Sequence, residues 1–243
     1  MKEERISTYW MNFFGIGKGE LRKSRVIVVP HRHLEDYQGA WIFKRDNWII
    51  ISVQPKTVDQ ITNKTKRVEP KEVNVFSRPY LEYLFGKEIE RIVGPVYQGY
   101  YDDTETVLQV SKEVREINFK EDQELITRLS KSGDEEGWLN SSINKNNKGM
   151  YGYFHKDKIE SIGCYNIVRG DVAFIGVYTN PNFRGIGFSQ EVLKKMVMDL
   201  SARGKLIRYQ TLLSNEPSIR LAGKIGFEEY ANNIAIRLKK NED

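Results

Sequence analysis

The sequence predicts a mixed α/β fold, and three features of the 243-residue chain support this prediction. Short runs rich in valine, isoleucine and aromatic residues recur along the chain and are typical of β-strands. One segment near residue 190 carries apolar residues at spacings of three and four, as an amphipathic helix does. The hydrophobic share of 40% and the charged share of 29% indicate a folded chain and exclude a wholly disordered one.

The first half of the chain contains strand-like runs and one helix-like segment. Four strands are predicted, at residues 25–29, 40–44, 48–53 and 91–101. A short helix at 79–85 is predicted to end at Gly86. The polar stretch Asp102 to Thr106 then interrupts the aromatic-rich sequence and predicts a boundary near Val110. We therefore predict an N-terminal α/β domain at 1–110 and a second domain at 111–243.

The second half alternates more regularly. Its strands are predicted at residues 113–117, 150–155, 159–167, 172–179, 206–213 and 234–238. Its helices are predicted at residues 121–129, 188–200 and 218–224. The strand at 172–179 must stop at Asn180-Pro181-Asn182, because proline lacks an N–H for the ladder. Gly204 follows the long amphipathic helix and is predicted to cap its end.

The most informative segment is Arg184-Gly185-Ile186-Gly187-Phe188-Ser189, between a predicted strand and a predicted helix. The first N–H groups of a helix have no carbonyl partner within it and attract anions. Small residues at 185, 187 and 189 allow a phosphate to approach the backbone, and Arg184 adds positive charge. The segment therefore predicts a pyrophosphate-binding loop, although a plain tight turn with a solvated arginine is the alternative.

Two other phosphate-binding motifs are disfavoured. A dinucleotide-binding fingerprint starting at Gly185 would need glycine where Gln190 stands and an acidic residue near Lys205. The P-loop pattern is missing from the chain, and the glycines at 15, 17 and 19 do not supply it. Nucleotide hydrolysis is therefore not expected.

These residues resemble the GNAT N-acetyltransferase superfamily. Its acetyl-CoA motif, Arg/Gln-x-x-Gly-x-Gly/Ala, matches Arg184 and Gly187, with Ser189 as a mild departure. The stretch 176–181 is similar to the strand and turn that lead into this loop, and 215–218 and 225–227 to the block that follows. The resemblance covers about Val114 to Leu238. It implies a mixed, largely antiparallel sheet flanked by helices, preceded by a smaller α/β domain that is a candidate degenerate GNAT-like copy.

The resemblance also implies where coenzyme A binds. The residues assigned to the cofactor are Val177, Tyr178, Thr179, Arg184, Gly185, Ile186, Gly187, Phe188, Ser189, Asn215 and Ser218. The backbone of Val177 and Thr179 would hold the pantetheine arm like an added strand, and 184–189 would hold the pyrophosphate. Ordinary core or turn roles are the alternatives for Val177, Phe188, Asn215 and Ser218.

The catalytic groups are less clear from the sequence. The resemblance implies an oxyanion donor at the N–H of Val177 or Tyr178. Glu136, in a region similar to the one that borders the acceptor site, is the candidate general base, with a solvated helix-end carboxylate as the alternative. The family's usual thiolate-protonating tyrosine position is Ala222 here. Three tyrosines are other candidates, at positions 178, 209 and 230.

Two histidine sites have mainly structural interpretations. His155 is read as a hairpin residue at a strand end. His31 and His33 could suggest a metal pair, but no third ligand lies near them in the sequence, so no metal is expected.

Composition limits the partners and the compartment. Lysine and arginine exceed aspartate and glutamate by 38 to 33, a net charge of +5 that is too small to indicate nucleic acid. No apolar run approaches the roughly 20 residues of a membrane span. A single cysteine, Cys164, excludes a disulfide within the chain and favours the cytoplasm. A monomer or homodimer is expected.

The leading hypothesis is an N-acetyltransferase that passes acetyl from acetyl-CoA directly to an amine of an unidentified small molecule or protein. A noncatalytic acyl-CoA-binding regulatory module is the rival, because the usual tyrosine is missing and the base is unproven. Nucleic-acid binding is a third possibility and predicts steep salt dependence. The N-terminal half is expected to shape the acceptor pocket, and its aromatic residues to supply core rather than base-stacking platforms.

Overall fold

The computed structural model describes residues 2–17, 19–20, 25–32, 38–69, 71–101, 108–168 and 171–239. The boundary stretch Asp102 to Thr106 and the candidate metal residue His33 lie outside these residues. The strands are β1 Val26–Pro30, β2 Gly39–Arg45, β3 Trp48–Val53, β4 Ile89–Tyr101, β5 Val114–Glu116, β6 Gly149–His155, β7 Lys158–Val168, β8 Val172–Thr179, β9 Leu206–Leu212 and β10 Glu228–Leu238. The helices are α1 Lys2–Phe14, α2 Val58–Thr65, α3 Arg78–Phe85, α4 Gln123–Ser130, α5 Glu135–Asn140, α6 Phe188–Ala202 and α7 Glu216–Ile225.

The chain divides into two compact units. The first comprises residues 1–98, 211–215 and 230–243, and the second comprises 99–210 and 216–229. The C-terminal strand belongs to the first unit because Asn232–Arg237 of β10 pair with Gly39–Lys44 of β2. The division into domains at 1–110 and 111–243 stays a prediction, as does the degenerate GNAT-like copy.

The first unit contains the strand order β1-β3-β2-β10. The β1–β3 pair is parallel, and the other two pairs are antiparallel. Apolar residues of these strands pack with α2 and α3 in one core that includes Ile42, Ile51, Ile61, Leu81 and Ile234. Five of the six residues of β3 are buried. A strand covered on one face only would alternate buried and exposed residues, so β3 is covered on both faces.

Buried aromatic residues of α1 and β2 pack against one another in the first unit. Trp10 of α1 is buried, and its ring lies 4.3 Å from the ring of Phe43. Phe14 is also buried and stacks on Trp10. Rings fixed against each other in this way are part of the packing and are not free to stack on bases.

Three helices lie where the sequence analysis assigned none. Helix α1 buries Ile6, Trp10 and Phe14, which recur every four residues. Helix α2 buries Ile61 and Thr65 at the same spacing. Helix α5 has six residues, too few for a hydrophobic period to be visible. Two elements also begin earlier than predicted: β10 starts at 228 rather than 234, and α7 at 216 rather than 218.

The second unit contains the strand order β9-β8-β7-β6-β5, in which β8–β9 is parallel and the other pairs are antiparallel. Successive residues of a strand point to opposite faces of the sheet. Gly163 of β7 faces Val192 and Met196 of α6, whereas Cys164 faces the Ser141 carbonyl that follows α5. Helices therefore cover both faces, and the predicted mixed, largely antiparallel α/β fold is confirmed.

Within the described residues, no helix combines the length and the apolar character needed to cross a membrane.

Candidate functional site

Strand β8 has one edge that is only partly paired. On one side it pairs with β7 from Val172 to Thr179. On the other side its parallel pairing with β9 covers Val172 to Ile175 and ends at the Ile175–Tyr209 pair. Among the described residues, Gly176 to Thr179 therefore have no β9 partner, and this stretch is called the open edge below.

The backbone direction along the open edge follows from one hydrogen bond. The N–H of Asn180 donates to the Glu160 carbonyl on β7 at 2.9 Å. Residues of an antiparallel pair alternate in the side to which they direct their N–H and C=O groups. Tyr178 therefore faces β7 with its backbone, whereas Val177 and Thr179 face the open edge. These are the two residues predicted to hold the pantetheine arm.

The predicted phosphate loop lies between β8 and α6. Gly185 has φ +81° and Gly187 has φ +104°, values that side chains of L-residues rarely adopt. A Cβ built on either glycine would meet no described atom within 4 Å, so the space beside both residues is open. Gly187 is the N-cap of α6 and offers no side-chain cap. Helix geometry leaves the N–H groups of Phe188 and Ser189 without carbonyl partners in α6, so this cradle fits a diphosphate.

Arg184 holds an ion pair that the sequence analysis did not predict. Its guanidinium is hydrogen-bonded to the carboxylate of Asp134, the N-cap residue of α5. The other oxygen of that carboxylate accepts from the N–H of Gly137 at 2.8 Å. Arg184 and the Gly137 N–H both hold the pKa of Asp134 below its usual value, so Asp134 is ionised at neutral pH.

The start of the loop is anchored from β7. The amide of Asn180 donates to the carboxylate of Glu160, a buried residue, at 2.6 Å, and its oxygen accepts from the Asn182 N–H at 3.1 Å. Asn180 thereby caps the 3₁₀ turn Pro181–Phe183. The anchor aims the chain from β8 into the phosphate loop, and no local motif marks it in the sequence.

The remaining loop side chains divide into an exposed one and a packed one. Ile186 is 60% exposed and has no core role. Phe188 stacks on Tyr153 with ring centroids 4.0 Å apart, and both Phe183 and His155 lie within 6 Å of its ring. His155 ends β6, as predicted, and sits in this aromatic cluster.

Helix α7 carries Ser218 in its first turn and Ala222 one turn later. The Ser218 hydroxyl accepts from the Tyr209 hydroxyl at 3.2 Å. Ala222 is buried and carries no hydroxyl, so the family's usual acid is missing in the structure as in the sequence. Asn215 is exposed, directly before α7, and belongs to the first unit.

Glu136 is exposed on the first turn of α5, and its catalytic role stays a prediction. His31 is buried, with Nδ1 2.8 Å from the Ser52 hydroxyl and Nε2 3.1 Å from the Gly39 carbonyl. Burial lowers the pKa of His31, which favours the neutral ring between these two partners. Among the described residues, no group of three histidine, cysteine or acidic side chains is placed to hold a metal ion.

The only cysteine of the chain is unsuited to nucleophilic catalysis. Cys164 is buried, and its thiol lies 3.6 Å from the Ser141 carbonyl. Burial raises the pKa of Cys164 to about 12, so the reactive thiolate is scarce at neutral pH.

Comparisons with known proteins agree with this geometry. The family model described as FR47-like protein, which is of GNAT type, matches residues 150–236. The structure of an acetyltransferase from the GNAT family from Colwellia psychrerythraea is 13% identical in sequence, with a TM-score of 0.52. The alignment covers 83% of this chain and 81% of the Colwellia chain. The structure of a GNAT-family protein from Novosphingobium aromaticivorans is 19% identical, with a TM-score of 0.51, and the alignment covers 63% of this chain and 67% of the Novosphingobium chain. No curated protein sequence matches the chain.

The FR47-like match runs from β6 into β10 and includes the open edge and the phosphate loop. The two structural neighbours show that the fold is the GNAT fold. The comparisons therefore show that this chain has a GNAT fold and that residues 150–236 match an FR47-like model of GNAT type.

Proposed function

We propose that the protein is an acetyl-CoA-dependent N-acetyltransferase that passes acetyl directly to a primary amine in a ternary complex. The observation that carries the proposal is the open edge of β8, which leads into an open, glycine-lined helix N-terminus. A diphosphate with an extended arm is complementary to this arrangement. The acceptor is an unidentified small molecule or protein amine.

The cofactor supplies an activated acetyl thioester, and the chain supplies the groups that hold it. Residues 184–189 provide main-chain N–H groups for the diphosphate, and Arg184 adds charge. Val177 and Thr179 provide backbone donors and acceptors along the arm. Ser218 and Asn215 stay candidate contacts at α7.

The direction of the backbone groups supports Val177 as the oxyanion donor. The sequence left Val177 and Tyr178 as alternatives, but the Tyr178 N–H points to β7. Val177 is therefore the proposed donor to the thioester oxygen, where negative charge develops as the amine attacks.

Direct transfer is favoured over an acyl-enzyme route. An acyl-cysteine would need a nucleophilic thiolate, and Cys164 is buried with a raised pKa. The burial of the single thiol supports direct attack of the amine on the thioester. Glu136 stays the proposed base, and Glu136→Gln should lower the acetylation rate without weakening coenzyme A binding.

Calorimetry with coenzyme A tests the site. Arg184→Glu and Gly187→Glu should each weaken binding at least tenfold, the first through charge and the second also by filling the cradle. Arg128→Glu is the matched control, because Arg128 is a solvent-exposed arginine on α4 whose ion pair is with Glu124 of the same helix. Equal affinities in all three folded variants would reject the site.

A noncatalytic acyl-CoA-binding module is the second candidate, favoured by the buried alanine at position 222. Both candidates predict that coenzyme A raises the unfolding temperature. The enzyme alone releases thiol from acetyl-CoA when amines are added, so a broad amine panel separates the two. The cytoplasmic location, the monomeric or homodimeric state and the lack of nucleic-acid, membrane and metal partners stay predictions from the sequence.

A further inference from the structure

Two hydroxyl groups meet where the pairing of β8 and β9 ends. Tyr209 is the last β9 residue paired with β8, opposite Ile175. Its side chain is buried, its ring lies 5.6 Å from the ring of Phe227, and its hydroxyl donates to Ser218 at 3.2 Å. Ser218 is only partly buried, so it is the member of the pair that solvent or a ligand can reach.

This pair lies at the inner end of the open edge. Paired residues of neighbouring strands place their side chains on one face, so Tyr209 shares the face of Ile175, and Val177 and Thr179 follow on that same face. An arm that runs from the phosphate loop past Thr179 and Val177 ends near Ile175 and Tyr209. At about 3.3 Å per residue, Thr179 to Ile175 spans about 13 Å of strand.

The other two candidate tyrosines make different contacts. The side chain of Tyr178 points to the opposite face, where its hydroxyl lies 2.9 Å from that of Ser132 and its ring meets Trp138. Tyr230 belongs to the first unit, where its hydroxyl lies 2.9 Å from that of Ser7. Between Tyr178 and Tyr209, it is Tyr209 whose side chain shares the face of Ile175, Val177 and Thr179.

Helix α7 has no tyrosine at the position where the family places its acid, so another hydroxyl is needed there. Ser218 and Ala222 are four residues apart and therefore lie on the same helix face. The family resemblance puts a tyrosine at position 222, but here that position is filled by a buried methyl group. The Tyr209 hydroxyl reaches this helix face from β9 and meets Ser218 there.

We propose that Ser218, polarised by the hydrogen bond from Tyr209, protonates the leaving coenzyme A sulfur; this inference rests on the proposed function. As the amine nitrogen forms its bond to the acetyl carbon, the carbon–sulfur bond breaks and its electron pair stays on sulfur. The Ser218 proton moves to sulfur, and the hydrogen bond from Tyr209 stabilises the charge left on the Ser218 oxygen. The proton lost by the amine returns to Ser218 through solvent, so the products are the amide and the free thiol.

In this scheme Ser218 is a catalytic residue and Tyr209 a positioning residue that acts through it. Burial raises the pKa of Tyr209, so its hydroxyl keeps the proton at neutral pH and remains a donor to Ser218. A donor beside sulfur stabilises the thiolate, which lowers the pKa of the bound coenzyme A thiol.

The thiol pKa of bound coenzyme A, followed by the ultraviolet absorbance of the thiolate, tests the assignment. Ser218→Ala should raise that pKa by about one unit, the size expected for one lost charge-assisted hydrogen bond. Tyr209→Phe should raise it by less, and Ser218→Thr should restore it. Tyr151→Phe is the matched control, because it removes a buried tyrosine hydroxyl on β6 that donates to Asp199 instead. Binding of desulfo-coenzyme A, which lacks the sulfur, should not change in any variant.

The outcomes separate this inference from the proposed function. If coenzyme A fails to bind the unaltered protein, both are wrong. If it binds but its thiol pKa is the same in Ser218→Ala, Tyr209→Phe and the control, the acid assignment alone is wrong. Parallel acetylation assays should show a tenfold or greater loss of kcat in Ser218→Ala with an unchanged KM for acetyl-CoA.

Discussion

The ion pair between Arg184 and Asp134 predicts that removing an acidic charge strengthens cofactor binding. Arg184 must turn toward the diphosphate to interact with it, and in the structure it is held by Asp134. Asp134→Asn weakens this hold. Asparagine also keeps a side-chain oxygen that can accept from the Gly137 N–H, so the cap of α5 survives the substitution.

The size of the effect follows from exposure. The side chains of Arg184 and Asp134 are 52% and 26% exposed, so solvent screens the pair and its contribution is about 0.2–1 kcal/mol. Because about 1.4 kcal/mol corresponds to a tenfold change, Asp134→Asn should tighten coenzyme A binding by about 1.4-fold to fivefold. The gain should shrink as salt screens both interactions of Arg184.

Titration calorimetry on four proteins measures this coupling. The unaltered chain, Asp134→Asn, Arg184→Gln and the double variant form a double-mutant cycle. In the Arg184→Gln background, Asp134→Asn should have no effect on affinity, because the guanidinium that it releases is gone. If Asp134→Asn weakens binding, or tightens it equally in both backgrounds, Arg184 does not exchange Asp134 for the diphosphate.

Three further predictions concern stability and reactivity. Gly187→Ala should lower Tm by about 2–8 °C, because φ +104° costs an L-residue about 1–2 kcal/mol, whereas Gly223→Ala, in an open helical position, should not lower it. Because the pKa of His31 is lowered in the folded protein, His31 contributes fully to stability above its unfolded pKa near 6.5, and this contribution falls as the pH drops below that value. Urea unfolding should therefore give a lower free energy of unfolding at pH 5.5 than at pH 7.5. In His31→Gln this difference between the two pH values should be smaller. Cys164 should resist a thiol reagent at pH 8 in the native protein and react at once in denaturant, since burial raises its pKa to about 12; rapid native labelling would contradict its burial.

The sequence predicted the turn between β8 and α6 closely, because the signal for that turn is local. The segment contains an arginine, two glycines and the start of an amphipathic helix within a few residues. Glycine indicates a turn, and the apolar spacing indicates a helix. The strands from β6 to β8 were also predicted closely, because turns at Lys156-Asp157 and Asn180-Pro181 mark their ends. Positive φ at Lys156 and Asp157 confirms the first of these turns.

The groups around the loop could not be predicted in the same way. Asp134 and Arg184 are 50 positions apart, and their pairing depends on how α5 and the loop are placed by the sheet. The Tyr209–Ser218 bond depends on where the β8–β9 pairing stops. Tyrosine 209 has no local motif, so only the fold distinguishes it from the tyrosines at 178 and 230.

Helix α1 was missed for a different reason. Its buried residues, Ile6, Trp10 and Phe14, do follow a helical spacing. Trp10, Phe14 and Phe43 are buried, as expected for core residues, but large aromatic side chains are not strong helix formers and gave no clear helix signal.

The pairing of β10 with β2 has a consequence for truncation of this chain. A fragment beginning at residue 111 would keep Asn232–Arg237 but lose the strand that satisfies their backbone groups. Such an exposed strand edge invites pairing between molecules and therefore aggregation. The GNAT-like half should therefore not fold properly as a separate fragment. Deletions or gene fusions that separate it from residues 39–44 should yield insoluble protein.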